Sequence, residues 1–66
     1  MKIEILIRNI RLKKNMTLET LAKISKVSKG NLSKIERGAG DVKLSTLLKI
    51  AEALDVKIDE LYKVIK

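Results

Sequence analysis

One short stretch of the chain is bounded at both ends by residues that set where a helix begins and ends. Ser28 can accept a backbone hydrogen bond at a helix N-terminus, and Gly38 can take the left-handed conformation that ends a helix. The helix predicted between them spans residues 29–37. Leu32 and Ile35 fall on one side of it, and the other side is polar. Because so short a helix is unstable alone in water, it must pack on other segments through Leu32 and Ile35.

The rest of the chain has few residues with which to supply that packing surface. The 66 residues are predicted to form one domain, residues 1–66, near the lower limit of size for a core that folds unaided, so oligomerisation would help it. Apolar residues make up 45% of the chain, with no Phe or Trp and one Tyr. The core must therefore consist of Ile, Leu, Val and Ala, which suits helix-on-helix packing.

The N-terminal segment has an apolar pattern that fits two structures. Ile3, Ile7 and Ile10 recur at i, i+4 and i+7, as in an amphipathic helix over residues 2–14. Ile3, Ile5 and Ile7 also alternate, as in a short strand. The helix is favoured because the helical spacing continues through Ile10, and a strand is the minor alternative.

A second helix is predicted over residues 18–25. Thr17 can cap its N-terminus. Its inward residues are predicted to be Leu21, Ala22 and Ile24, and the small Ala22 would let a crossing helix approach closely. The turn between this helix and the one that begins after Ser28 is predicted to consist of Ser25, Lys26 and Val27, with Val27 buried beneath it.

Two further helices are predicted toward the C-terminus, over residues 45–54 and 58–64. Their apolar residues at helical spacing are Leu44, Leu47, Leu48, Ala51 and Leu54 in the first, and Ile58, Leu61, Tyr62 and Ile65 in the second. Ala39, Gly40 and Asp41 are predicted to form a loop before them. The predicted fold is therefore all-α, with five short helices.

The sequence from residue 17 to residue 38, TLETLAKISKVSKGNLSKIERG, has an ordered pattern of residues at fixed spacing. It resembles the helix-turn-helix of the phage-repressor type, the Cro/Xre family, at Thr17, Leu21, Ala22, Val27, Ser28, Leu32, Ser33, Ile35, Glu36 and Gly38. The resemblance continues through LSTLLKIAEALDVKIDELY and covers nearly the whole chain. It implies a lambda-repressor-like DNA-binding domain with the helix-turn-helix at helices 2 and 3.

The chain departs from the common pattern of that family at four positions. Leu18 stands where a glutamine often opens the second helix and helps to hold phosphate and base. Lys26 replaces the glycine of the turn, Val42 replaces a frequent proline, and Asp55 replaces the glycine that usually ends the fourth helix. The pattern of the remaining positions is intact, so the expected fold is unchanged.

Positive charge is concentrated in one part of the chain. Residues 1–43 contain 11 Lys and Arg against 4 Asp and Glu, whereas residues 44–66 contain 4 against 4, so the whole net charge of +7 lies in the first part. A basic surface used only for solubility would not be distributed in this way, whereas a surface facing nucleic-acid phosphates would.

The residue types needed for most catalytic and metal chemistry are missing. There is no Cys and no His, so disulfides, thiolate metal sites and the commonest general base are excluded. No cofactor, metal or enzymatic activity is expected. No apolar run approaches the length of a membrane span, and the expected location is the cytoplasm.

Several polar residues of the helix over residues 29–37 are candidates for DNA contact. Lys29 and Lys34 would project into the major groove, where lysine can reach guanine O6 and N7, although both could instead neutralise phosphates. Their positions on the helix favour base contact for Lys29 and leave both alternatives open for Lys34. Ser33 could serve either purpose, and Asn31 could pair with adenine. Gly30 permits close backbone approach or limits specificity.

The remaining candidates lie at helix ends. The caps Thr17 and Ser28 are assigned to the same DNA-facing surface, because the free N–H groups at the start of a helix form a natural phosphate seat. Arg37 and Lys43 flank the end of the third helix and the following loop, and are expected to hold the DNA backbone.

Glu36 is an acid close to the predicted DNA surface. The family resemblance implies that it pairs with an arginine of the first helix, matched here by Arg11. The alternative is an ordinary solvated glutamate with Lys29 nearby. The pair is favoured because an acid facing DNA needs an internal partner.

The expected function is sequence-specific binding of double-stranded DNA by a transcriptional regulator, as a homodimeric repressor that reads a palindromic operator through the major groove. The alternative is a protein-interaction module, such as an antitoxin or a repressor partner, that uses the same fold. Its partner surface would consist of the surplus apolar residues Ile5, Leu12 and Val64. For Ile5 and Leu12, stray surface hydrophobic residues are the simpler explanation.

Overall fold

The computed structural model describes residues 1–38 and 41–66 of the chain. Its elements, in chain order, are strand β1 (Lys2–Ile5), helices α1 (Ile7–Lys13), α2 (Leu18–Ser25), α3 (Lys29–Glu36) and α4 (Leu44–Leu54), a 3₁₀-helix (Ile58–Leu61) and strand β2 (Tyr62–Ile65). Of the loop predicted before α4, Ala39 and Gly40 lie outside the described residues. The structure is thus mostly helical, with the two ends of the described chain joined in a small sheet.

The sheet replaces parts of two predicted helices. β1 and β2 pair antiparallel, with Ile3 opposite Val64 and Ile5 opposite Tyr62. The predictions of a helix over residues 2–14 and of a fifth α-helix over residues 58–64 are therefore wrong in these segments. The described residues form four α-helices and a two-stranded sheet, so the prediction of an all-α fold with five helices is also wrong. Ile3 and Ile5 alternate with charged residues in β1, and β2 contains Tyr62, Val64 and Ile65, residue types that favour strands. Each strand supplies backbone hydrogen-bond partners for the other.

The core receives at least one fully buried side chain from every helix. These side chains are Ile7, Leu21, Leu32, Ile50, Leu54 and Leu61. Val27 is also buried, as predicted. Ile50 was not among the predicted core residues, although it completes the α4 stripe of Leu47, Ala51 and Leu54 at spacings of three and four residues.

Six apolar residues are placed differently from their prediction. Ile5 was assigned to the outer side of a helix, but it is half-buried and packs against the core. The residues predicted to face inward but found exposed are Ile3, Ile24, Leu44, Leu48 and Ile65. Alternate residues of a strand point to the same face, so Ile3 and Ile5 share one face of β1. Only the end of that face that carries Ile5 packs against the core, and Ile3 is therefore exposed.

The helix boundaries around the turn agree closely with the local sequence. Thr17 Oγ1 accepts from the backbone N–H of Thr20 at 3.1 Å, and Ser28 Oγ accepts from the N–H of Asn31 at 3.2 Å. Gly38 has the expected left-handed backbone, with φ of 72°. α3 ends one residue earlier than predicted, and α4 begins one residue earlier. In residues 1–38 and 41–66, every helix is too short or too polar to span a lipid bilayer.

Candidate nucleic-acid interface

The turn between α2 and α3 is fixed by three consecutive residues. Ser25 is buried, and its Oγ accepts from the backbone N–H of Val27 at 3.3 Å. Lys26, the residue in place of a turn glycine, has a left-handed backbone with φ of 62°. Val27 inserts into the core below them. The sequence placed Ser25 in the turn but did not predict that its hydroxyl would tie the turn together.

α3 separates an apolar side from a polar side. Leu32 and Ile35 are buried in the core, so the helix is held by the two anchors that the sequence predicts. Ser33 is half-buried. The exposed candidates on α3 and its C-terminal cap are Lys29, Gly30, Asn31, Lys34 and Arg37. The exposed side therefore carries three cations and no anion.

The other candidates occupy the ends of neighbouring helices. Thr17 is the exposed N-cap of α2, and Ser28 is the exposed N-cap of α3. Lys43 is the exposed N-cap residue of α4, with an extended backbone and no side-chain capping bond. The structure thus brings most of the candidates onto α3 and the start of α2, while Lys43 lies on a separate element.

Lys29 has an acidic neighbour that the sequence analysis missed. Its Nζ lies 3.3 Å from Oε1 of Glu19, in the first turn of α2. The side chains are 59% and 77% exposed, so the pair contributes at most about 1 kcal/mol in water. This contact links the N-termini of α2 and α3. The acid beside Lys29 is therefore Glu19, and the alternative that placed Lys29 near Glu36 is wrong.

Glu36 is engaged on the opposite side of α3. Arg11 Nε donates to its Oε2 at 2.7 Å, and Arg11 Nη2 donates to its Oε1 at 3.1 Å. The side chains of Arg11 and Glu36 are only 10% and 7% exposed. A third donor, Arg11 Nη1, bonds the carbonyl of Met16 at 2.8 Å. The pair therefore joins α1, the segment before α2 and the end of α3.

Electrostatics keep Arg11 charged. The hydrogen bond from Arg11 to Glu36 raises the pKa of Arg11 above its ordinary value, with the charge of Glu36 adding to the effect, although burial acts in the opposite direction. A two-bond arginine–carboxylate fork also fixes the relative orientation of its partners. Glu36 is thereby held inside the molecule, which leaves the exposed side of α3 free of negative charge.

The comparisons with known proteins agree with this geometry. The helix-turn-helix family HTH_3 matches residues 7–61. The restriction-modification controller protein C.AhdI from Aeromonas hydrophila is 37% identical with a TM-score of 0.79, the match covering 82% of each chain. The clp gene regulator ClgR from Corynebacterium glutamicum is also 37% identical, with a TM-score of 0.76 over 82% of this chain and 70% of that one.

A third solved structure has the same architecture. The restriction-modification controller protein C.Esp1396I is 34% identical, with a TM-score of 0.76 over 83% of this chain and 75% of that one. No curated protein matches at the corresponding level of significance. The family match covers α1 to the 3₁₀-helix and includes the capped turn, the buried anchors and the Arg11–Glu36 pair. The chain therefore belongs to the Cro/Xre-type helix-turn-helix family of DNA-binding regulators.

Proposed function

We propose that this protein binds specific double-stranded DNA sequences by placing α3 in the major groove. The observation that carries the proposal is the division of α3 into a buried side, with Leu32 and Ile35, and an exposed side that carries cations and no anion. A helix held in this way can present side chains to base edges without exposing the core. Phosphate attraction then supplies affinity, and the side chains that reach base edges supply specificity.

Lys29 is the proposed base-reading residue. It lies in the first turn of α3, where the recognition helices of this type of motif contact base edges, and its amine can donate to guanine O6 and N7. Its contact with Glu19 is exposed and weak enough to exchange for a contact with DNA. Asn31, Ser33 and Lys34 are proposed to contact bases or phosphates, and Gly30 to allow close approach of the backbone.

The remaining candidates are proposed to position the protein on the duplex. Arg37 and Lys43 would contact phosphates, and Thr17 and Ser28 would lie at helix N-termini that face the DNA backbone. These contacts carry charge or backbone N–H groups but little base information. They would therefore set affinity and register, and leave discrimination to α3.

The protein is further proposed to act as a homodimer on a palindromic operator. Two copies of α3 related by a two-fold axis would enter major grooves about 34 Å apart on one face of the DNA. Binding over a promoter would repress transcription by blocking polymerase. The regulatory roles named for C.AhdI and ClgR support a regulator of gene expression.

Lys29→Ala is expected to relax base preference. Loss of one lysine contact to a base edge should weaken binding to the preferred site by about 1–3 kcal/mol and reduce discrimination at one base pair per half-site. The preferred site is first selected from a random DNA pool. Affinities are then measured by fluorescence anisotropy for that site and for single-base variants.

Arg37→Ala is the matched control for Lys29→Ala, because it removes one exposed cation from the end of the same helix. It should weaken all sequences alike and reduce the slope of log affinity against log salt by about one. If Lys29→Ala discriminates among bases as well as the parent does, the base-reading role of Lys29 is wrong. Binding that is indifferent to salt would contradict the whole interface.

Glu19→Gln is expected to strengthen DNA binding. The substitution keeps the shape of the side chain but removes a negative charge beside Lys29, so it reduces repulsion of phosphates and releases the lysine amine. A gain of about threefold to tenfold in affinity at low salt follows, and it should shrink as salt rises. Glu52→Gln, an equivalent change at an exposed position in α4, serves as the control. Equal affinities for parent and Glu19→Gln would show that Glu19 does not face DNA.

A further inference from the structure

β1 has a free outer edge, because among the described residues it pairs with β2 alone. A groove of about 380 Å³ borders β1, and its walls are all four residues of that strand, Ile65 of β2, and Glu36, Arg37 and Gly38 at the end of α3. A two-stranded sheet is marginally stable by itself, and unpaired strand edges readily accept another strand. The edge of β1 is therefore available for a partner.

The sheet also exposes apolar side chains on both strands. Ile3 is 58% exposed and Val64 is 45% exposed. The two residues are directly opposite in the register, so their side chains project from the same face of the sheet. Together they form a short apolar row across the two strands. A third strand added beside β1 could extend this row.

The sequence of β1 is complementary to itself. If two copies of Lys2–Ile5 pair antiparallel about Ile3, each Lys2 lies opposite the partner's Glu4, and the two copies of Ile3 lie opposite each other. Cross-strand pairs of opposite charge and of β-branched residues both stabilise a sheet. β2 has no such property, because Tyr62–Ile65 contains Lys63 and no acid.

We propose that two copies of this chain associate along β1 to form a four-stranded antiparallel sheet with strand order β2–β1–β1–β2. The apolar row across it would be Val64, Ile3, the partner's Ile3 and the partner's Val64. Each Glu4 would lie between two lysines. One is Lys63 of the same chain, which is opposite Glu4 in the observed register, and the other is the partner's Lys2.

The proposed pairing forms a closed dimer rather than an extended assembly. It uses the same edge of both copies, as a two-fold interface requires, and leaves β2 at both outer edges. Lys63 is exposed on each outer strand, and lysine on a strand edge opposes addition of further strands. The proposal rests on the proposed function only where it assigns this dimer to the palindromic operator. The association of the two chains itself needs no DNA.

Charge reversal provides the test. Lys2→Glu places two acids opposite each other across the interface at both of its ends, and Glu4→Lys places two lysines there. Each variant alone should dimerise about tenfold more weakly than the parent, measured by sedimentation equilibrium without DNA. An equimolar mixture restores opposite charges at both ends and should form a heterodimer with near-parental affinity, seen by native mass spectrometry.

Two controls separate this result from unfolding and from a simple effect of net charge. Lys49→Glu reverses an exposed charge in α4, outside both strands, and should leave dimerisation unchanged. Lys2 lies opposite Ile65 rather than an acid, so Lys2→Glu breaks no charge pair within the sheet. Glu4→Lys, in contrast, also replaces the cross-strand pair of Glu4 and Lys63 with two lysines. Circular dichroism checks that each variant is folded.

Several outcomes would overturn the proposal. They are a parent that stays monomeric at about millimolar concentration, single variants that dimerise like the parent, and a mixture that gives no heterodimer. Salt-sensitive binding of a folded, monomeric variant to a single half-site tests α3 alone. If that binding persists while the dimer result fails, the β1 interface is wrong and the DNA-reading role of α3 stands.

Discussion

Arg11→Ala is expected to lower the free energy of unfolding by about 3–5 kcal/mol, because it leaves the carboxylate of Glu36 buried without its partner. The substitution also removes the donor to the Met16 carbonyl. Native proteins have total stabilities of about 5–15 kcal/mol, so this loss is a large share of the whole. Urea unfolding followed by far-ultraviolet circular dichroism gives the measurement.

Arg8→Ala is the matched control for Arg11→Ala. It removes an arginine from the same helix, but its side chain is exposed, so its cost should stay below about 0.5 kcal/mol. The double variant Arg11→Met with Glu36→Leu removes both charges together and should cost less than Arg11→Ala alone. An Arg11→Ala protein as stable as the parent would show that the pair is not a structural link.

The pH dependence of this link follows from the raised pKa of Arg11. A raised folded-state pKa gives stability that is fully present below the ordinary arginine value and is lost only as pH rises through the folded value. The loss therefore falls in strong alkali. Between neutral and mildly alkaline pH, the guanidinium should contribute a constant stabilisation in urea unfolding.

Leu32→Ala is expected to cost about 2–5 kcal/mol, since Leu32 is fully buried and its truncation leaves a cavity between α3 and the core. Leu32 is one of two buried anchors of α3, so loosening it should also weaken DNA binding while the exposed lysines remain unchanged. Thermal unfolding and anisotropy titration with the selected site measure the two effects on the same sample.

Leu48→Ala is the control for Leu32→Ala, because it makes the same chemical change at a helical position that is 47% exposed. Alanine has the higher helix propensity, which partly offsets the lost contact, so the cost should be below about 1 kcal/mol and DNA affinity should not change. Similar losses for both variants would contradict the placement of Leu32 as the anchor of α3.

The region around the turn could be predicted in detail from the sequence. Caps are local, since Thr17 and Ser28 each bond a backbone N–H three residues later, and α2 has the predicted bounds. Burial of Leu32 and Ile35 follows from helical spacing within α3. The Arg11–Glu36 contact joins distant residues, and only the family resemblance implied it.

The terminal segments could not be predicted from local pattern. The spacing of Ile3, Ile7 and Ile10 fits a helix, and the alternation of Ile3 and Ile5 fits a strand. The choice depends on whether β1 finds a partner, and that partner is β2 at the other end of the chain. The Glu19–Lys29 contact is similarly absent from the pattern, because it depends on how α2 and α3 cross.

The sequence by itself determined the capped turn, the division of α3 into an apolar and a polar side, and the concentration of positive charge before α4, because each depends on residues a few positions apart or on composition. The tertiary structure alone decided that the chain ends form a sheet and which acid each cation meets. A strand becomes stable only when another segment satisfies its backbone hydrogen bonds, and an ion pair forms only when two elements meet, so both depend on contacts that local spacing does not encode.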